Sequence, residues 1–219
     1  MNVPPLILTV LDAPNRVDHA FLAASDRCAY LAPYLAGGGR DGSGCNQLIR
    51  NFKCEPSVAR HNPQRRRHKQ RAIMTMAQWL RAALTQEEAE RSTWVPIPPS
   101  KRRGDPDYDD RLIQTLSLAF DAYDVDVRSL LQQIHSTVPD HAGATRGSAE
   151  ALYDNLRLDA AVLSARPVRE RIALFDDVLT SGKHYTCCQR RLRETLPSTP
   201  VAGVFLMRRV ISGRWRSLV

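Results

Sequence analysis

The sequence predicts an α/β protein, with a mostly parallel central sheet, flanking helices and a small N-terminal hood or elaboration. Two observations carry this reading. Short apolar runs rich in β-formers recur along the 219 residues, and stretches with apolar residues at helical spacing lie between them. Strands that alternate with helices require crossovers, and crossovers build parallel sheets covered on both faces. A third observation sets the scale. A hydrophobic content of 43% can fill a sizeable core, yet no run is long enough to cross a bilayer, so a membrane is not an expected partner.

The elements follow in chain order. "MNVPPLILTVLD" has early prolines, no basic start and an acid directly after a short apolar run. It reads as a first strand, Leu6–Leu11, rather than a signal peptide, and the expected compartment is the cytoplasm. Further strands are expected at Cys28–Leu35, Trp94–Ile97, Val125–Leu131, Arg171–Phe175 and Val201–Met207. Ile73, Met76, Ala77, Leu80 and Leu84 share one helical face; so do Leu112, Leu116, Ala119, Phe120 and Tyr123, and so do Tyr185, Cys188, Leu192 and Leu196. "AGGGRDGSG" (Ala36 to Gly44) reads as a turn, and "HSTVPDHAGATRGS" (His135 to Ser148) as a long polar loop of the kind that serves as a lid. No linker divides the chain. Residues 1–219 are expected to form one domain, with 1–90 as the elaboration and first helices and 91–219 as the core.

Cysteine usage argues for reduced thiols. The five are Cys28, Cys45, Cys54, Cys187 and Cys188, with no C-x-x-C pair. Cys28, Cys45, Cys54 and His61 match no common zinc spacing. The formal net charge is +8, and much of it is local: "RHNPQRRRHKQR" (Arg60 to Arg71) holds six Arg or Lys, two His and no acid. Such a block is either a solvated surface loop or a contact for phosphate-rich ligands. Arg65, Arg66 and Arg67 are its candidate nucleic-acid contacts, with weak, salt-dependent binding expected.

The stretch that points to chemistry is "RIALFDDVLTSGKHYT" (Arg171 to Thr186). A buried strand ends in two adjacent acids, Asp176 and Asp177, where like charges repel and desolvation is costly. A loop of Thr180, Ser181, Gly182, Lys183 and His184 then enters a helix. Ligands of open α/β sheets bind at the carboxyl ends of the strands, and a helix N-terminus presents N–H groups and positive dipole to an anion. Gly182 is expected to let the backbone approach the ligand closely. A phosphate alone would be repelled by the two acids. A ribose 5-phosphate would not, because its hydroxyls can donate to them, and a bound Mg²⁺ would complete the charge balance. A Walker A loop is excluded by the missing first glycine. A receiver domain is disfavoured because only 43 residues follow Asp176. An ordinary helix cap accounts for one acid but not the second.

These residues resemble the 5-phosphoribosyl-1-pyrophosphate (PRPP) loop of the type I phosphoribosyltransferases. The resemblance implies that Asp176 and Asp177 hold the ribose hydroxyls, with Mg²⁺ held directly or indirectly, and that Thr180 to His184 hold the 5-phosphate. His184 stands where that family usually has a small residue. "WVPIPPSKRRGDPDYDDRL" (Trp94 to Leu112) is similar to the pyrophosphate loop of the competence-associated (ComF-like) branch, which implies pyrophosphate contacts from Ser100, Lys101 and Arg102. It departs from that branch after Arg103, where "GDPDYDD" is acidic. "NQLIRNFK" (Asn46 to Lys53) is similar to the branch's early helix, and "ATRGSAEALYDNLRLDAA" lies where the branch has a mobile catalytic loop. The N-terminal four-cysteine zinc module common in that branch is missing.

The resemblance implies an enzyme of nucleotide metabolism. PRPP, or a nucleotide containing ribose 5-phosphate, would bind with Mg²⁺, and the 5-phosphoribosyl group would pass to a nitrogenous base or back. Asp177, beside the ribose, would be the candidate base, and Arg146 in the lid would close over the pyrophosphate. A PRPP-sensing regulator that binds nucleic acid is the alternative, since one fold serves many functions. A homodimer stays open.

Overall fold

The computed structural model describes residues 7–35, 44–137 and 148–210. In chain order the elements are β1 (Thr9–Val10), α1 (Ala13–Arg16), β2 (Cys28–Leu35), α2 (Gly44–Phe52), α3 (Pro56–His61), α4 (Pro63–Ala82), α5 (Gln86–Glu90) and β3 (Ser92–Pro96). There follow α6 (Arg111–Ala119), β4 (Asp126–Val127), β5 (Leu131–Gln133), α7 (Ala149–Asp154), β6 (Leu156–Leu158), α8 (Ala160–Ser164), β7 (Arg171–Leu179), α9 (Lys183–Thr195) and β8 (Val201–Val210). Six strands form one sheet in the order β1-β2-β8-β7-β3-β4, parallel throughout except for the β1–β2 edge pair. The mostly parallel α/β sheet expected from the sequence is therefore present.

Local chemistry explains the long helices. Pro63 opens α4 where its missing N–H costs nothing, and the Asn62 side chain accepts from the Arg65 N–H. Ile73, Met76, Ala77 and Leu80 then bury one face. Thr85 and Glu88 form a capping box that starts α5. Leu112, Leu116 and Ala119 bury the inner face of α6, and Tyr185, Cys188 and Leu192 that of α9. The α2, α4 and α6 side chains pack with Ala173, Phe175 and Leu206 on one face of the sheet. The α9 side chains pack with Ile172, Leu174 and Phe205 on the other. Adjacent β-strand residues thus feed opposite cores, as the two-residue period of a strand requires.

Several boundaries differ from expectation. The first strand pairs only over Thr9–Val10, at the exposed sheet edge. The expected strand Val125–Leu131 is two elements: Asp126–Val127 pairs with β3, and Leu131–Gln133 joins β6 in a separate two-stranded antiparallel sheet. The break falls at Arg128, whose buried guanidinium bonds to Asp126 and to the carbonyls of Arg166 and Pro167. Strand β6 was not expected; three residues carry too little pattern to detect. Strand β7 continues past Phe175 to Leu179, and β8 past Met207 to Val210. The basic segment Arg60 to Arg71 is helical rather than a loop. Leu84 and Tyr123 lie beyond the ends of their helices but still pack against the same core. Most of Ala36 to Gly44 and of His135 to Ser148, including Arg146 and most of the expected lid, lies outside the described residues. Among the described residues no helix is long and apolar enough to cross a membrane.

Candidate phosphate and ribose site

Strands β3 and β7 are parallel neighbours whose following helices go to opposite faces of the sheet, α6 to one core and α9 to the other. Their carboxyl ends therefore diverge and leave a crevice, the place where open α/β sheets bind ligands. The last β3–β7 pair is Pro96 with Phe175; beyond it β7 pairs with β8 alone, through Asp176–Phe205 to Leu179–Arg208. Pro98 and Pro99 have no N–H to continue the β3 ladder. Into this gap opens a cavity of about 890 Å³. Asp176, Asp177, Thr180 to His184, Ser100 and Lys101 all line it.

The two acids have different surroundings. Asp177 is buried, and both of its oxygens are taken by cations: Oδ1 lies 2.9 Å from Lys53 Nζ, and Oδ2 accepts from Arg111 at 2.6 and 3.2 Å. Burial opposes its ionisation, but Lys53 and Arg111 outweigh that cost and hold the carboxyl well below the usual carboxylate range. Asp176 is half-buried, and its Oδ1 accepts the backbone N–H of Asp177 at 2.8 Å. Burial, and then the charge of Asp177, push its carboxyl up to about 7. One acid is therefore fixed as an anion, and the other titrates near neutrality.

The cradle is built by backbone. Gly182 caps α9 at φ +85°, and the helical ladder begins with the Thr186 N–H donating to the Gly182 carbonyl at 3.0 Å. The preceding N–H groups lie outside that ladder, at the positive end of a thirteen-residue helix. The carbonyls of Thr180 and Ser181 are satisfied from behind: His19 Nδ1 bonds to the first, and the Phe21 N–H donates to the second at 3.0 Å. The expected reason for Gly182 needs correction. A Cβ there would meet Leu22 Cδ2 at 2.7 Å, so glycine is required by the positive φ and by Leu22 behind the loop.

Of the three residues expected at the pyrophosphate, Ser100 and Lys101 line the cavity and Arg102 does not. The Arg102 N–H donates to Ser136 Oγ, and its side chain is exposed, because the chain turns away through Gly104 at φ +86°. Arg65, Arg66 and Arg67 lie on the first turns of α4 and do not line the cavity; Arg66 and Arg67 are exposed.

Sequence reasoning missed Lys53, Arg111 and the partners that hold them. Arg111 also bonds Asp109 at 2.9 Å, and Asp109 bonds the buried Lys69 at 2.6 Å. Asp107 accepts from the Ser57 N–H at 2.8 Å and pairs with Arg60 at 3.4 Å. The acidic "GDPDYDD" and the basic Arg60 to Arg71 thus neutralise one another in part. Their opposite charge within fifty residues was the available signal. The cysteines are free thiols, and among the described residues no three His, Cys, Asp or Glu are placed to hold a metal ion. Compared with known proteins, the chain matches no protein-family model and no curated protein.

Proposed function

We propose that this cavity binds PRPP, or a nucleotide containing ribose 5-phosphate, and transfers the 5-phosphoribosyl group to or from a nitrogenous base. The observation that carries this reading is one cavity lined by an anion cradle at a helix N-terminus, an acid pair one step before it, and Ser100 and Lys101 on the neighbouring strand end. In this reading the cradle would take the phosphate, the acid pair the ribose, and Ser100 and Lys101 the pyrophosphate. Asp176 is the acid open to ribose hydroxyls, since Asp177 is engaged by Lys53 and Arg111. The cations around the crevice, Lys101 among them, stabilise the charge that develops on a departing pyrophosphate. Arg146, expected over the pyrophosphate, lies outside the described residues.

Mg²⁺ fits this site in one way. Both oxygens of Asp177 are occupied, so the ion would be held by Asp176 and by the ligand's own phosphates, where it would screen the pyrophosphate charge. In this reading Asp176, rather than both acids, would be the metal contact.

A second reading, a PRPP-sensing regulator that binds nucleic acid, is favoured by one observation: exposed Arg66 and Arg67 stand side by side on α4, away from the cavity. The deciding experiment is calorimetry with PRPP and Mg²⁺ on the wild type and on Asp176→Asn/Asp177→Asn, with a pyrophosphate-release assay over a panel of bases. Binding lost in the double variant, with pyrophosphate released by the wild type, is expected. Binding without release, together with salt-dependent nucleic-acid affinity lost on replacing Arg65, Arg66 and Arg67 by Ser, would move the regulator ahead. Unchanged affinity in the double variant would remove the ribose-phosphate reading itself.

A further inference from the structure

Among the described residues, no acid pairs with the charge of Arg209. It stands near the carboxyl end of β8, half-buried, and lines the same cavity as Thr180, Ser181 and Gly182. Among the described residues its guanidinium makes no ion pair, and its buried Nε has no hydrogen-bond partner. Its neighbour Arg208 also has an unpartnered Nε, but its charge is paired. Arg208 is 2% exposed, bonded to Asn15 at 2.9 Å and paired with Asp18 at 3.4 Å. The structural cation and the uncompensated one therefore sit side by side. A charge that is partly removed from water and left without a counter-ion is unfavourable unless a ligand supplies one.

Topology says which part of a ligand it meets. The sheet order places β8 on one side of β7 and β3 on the other. Lys101 follows β3, and Arg209 is on β8, so the two cations flank the β7 loop from opposite sides. Arg209 also lies close enough to His19 for its charge, with that of Arg208, to disfavour protonation of the ring, which burial already opposes. His19 is the residue bonded to the Thr180 carbonyl at the back of the cradle. Arg209 thus shares the cavity with the cradle residues, on the side of β7 opposite Lys101.

We propose that Arg209 is a further ligand-binding residue, whose guanidinium contacts the phosphate group seated against the N–H groups of residues 181–184. The inference rests on the ribose 5-phosphate reading for the identity of the ligand, but its core is the recognition of a phosphate dianion. Backbone N–H groups alone bind a monoanion and a dianion through the same contacts. A planar cation adds paired donors and favours the dianion.

The test uses inorganic phosphate, pyrophosphate and ribose 5-phosphate in calorimetric titrations of the wild type, Arg209→Gln and Arg209→Lys. Loss of one charge-assisted contact should weaken inorganic phosphate and ribose 5-phosphate alike, by about tenfold to a hundredfold in Arg209→Gln, with partial recovery in Arg209→Lys. Pyrophosphate binding at the Lys101 side should stay within about twofold. The melting temperature of Arg209→Gln should not fall, because no ion pair among the described residues uses the charge, whereas Arg208→Gln should lower it. Equal phosphate affinity in the wild type and Arg209→Gln would overturn the proposal and leave the PRPP reading standing. Phosphate bound through Arg209 but ribose 5-phosphate refused would uphold the proposal and overturn the PRPP reading. A wild type that binds no phosphate would overturn both.

Discussion

Arg111→Met tests whether the acid pair is held by its surroundings as described. Methionine keeps an apolar stem and removes the charge, including the guanidinium whose carbon lies 5.5 Å from the Phe52 ring centroid. Two carboxylates then lose a partner. Asp177 keeps Lys53 at 2.9 Å, on a side chain 36% exposed, and Asp109 keeps Lys69 at 2.6 Å. Removing one partner of a buried pair typically costs about 3 to 5 kcal/mol, mostly for the charge left behind. Each acid here retains one cation, so the lower end applies, about 3 kcal/mol. For a chain of this size that is a fall in melting temperature of roughly 6 to 12 °C. Pairing Arg111→Met with Asp177→Asn removes much of the uncompensated charge. The double variant should therefore lose at least about 1 kcal/mol less than the sum of the singles. Urea denaturation of the four proteins at pH 7 measures the cycle. Additive single losses, or an Arg111→Met protein that melts within about 2 °C of the wild type, would refute the account of Asp177 as a carboxylate held by two cations.

Two further outcomes are expected. Asp176 has its carboxyl raised to about 7, so its contribution to stability is present below its unfolded value near 4 and is lost as pH rises through about 7. Asp176→Asn should therefore be more stable than the wild type at pH 8.5, by about 2 kcal/mol, and lose most of that advantage at pH 5; equal differences at the two pH values, by thermal melting, would contradict this. Gly182→Val should cost about 2 to 4 kcal/mol, from the positive φ and the 2.7 Å approach to Leu22, and Leu22→Ala should recover part of the contact cost but none of the backbone cost; full recovery in the double variant would show that the backbone conformation is not the constraint.

The α/β class and the mostly parallel sheet were legible in the sequence because they rest on local periodicity. Cys28–Leu35 was read to the residue, and α4, α6 and α9 were read from their buried faces. Asp176, Asp177 and the turn into α9 were legible for the same reason: strand end, loop and helix start are contiguous in the chain. Strand ends were less legible. Whether β7 stops at Phe175 or runs to Leu179 depends on β8 continuing beside it, which no window of β7 contains.

What only the tertiary structure decided is how distant charges meet. Lys53, just past the end of α2, and Arg111, at the start of α6, converge on Asp177 because Asp176 and Asp177, as successive strand residues, point to opposite faces of the sheet. Arg60 of α3 pairs with Asp107 and Lys69 of α4 with Asp109, each forty or more residues away, and Arg102 turns out of the cavity with its N–H on Ser136 Oγ. Local sequence carries the repeat of a helix or strand, because backbone hydrogen bonding and side-chain direction act within a few residues. Electrostatic pairing acts through space and was settled only when the crossovers had placed these elements side by side.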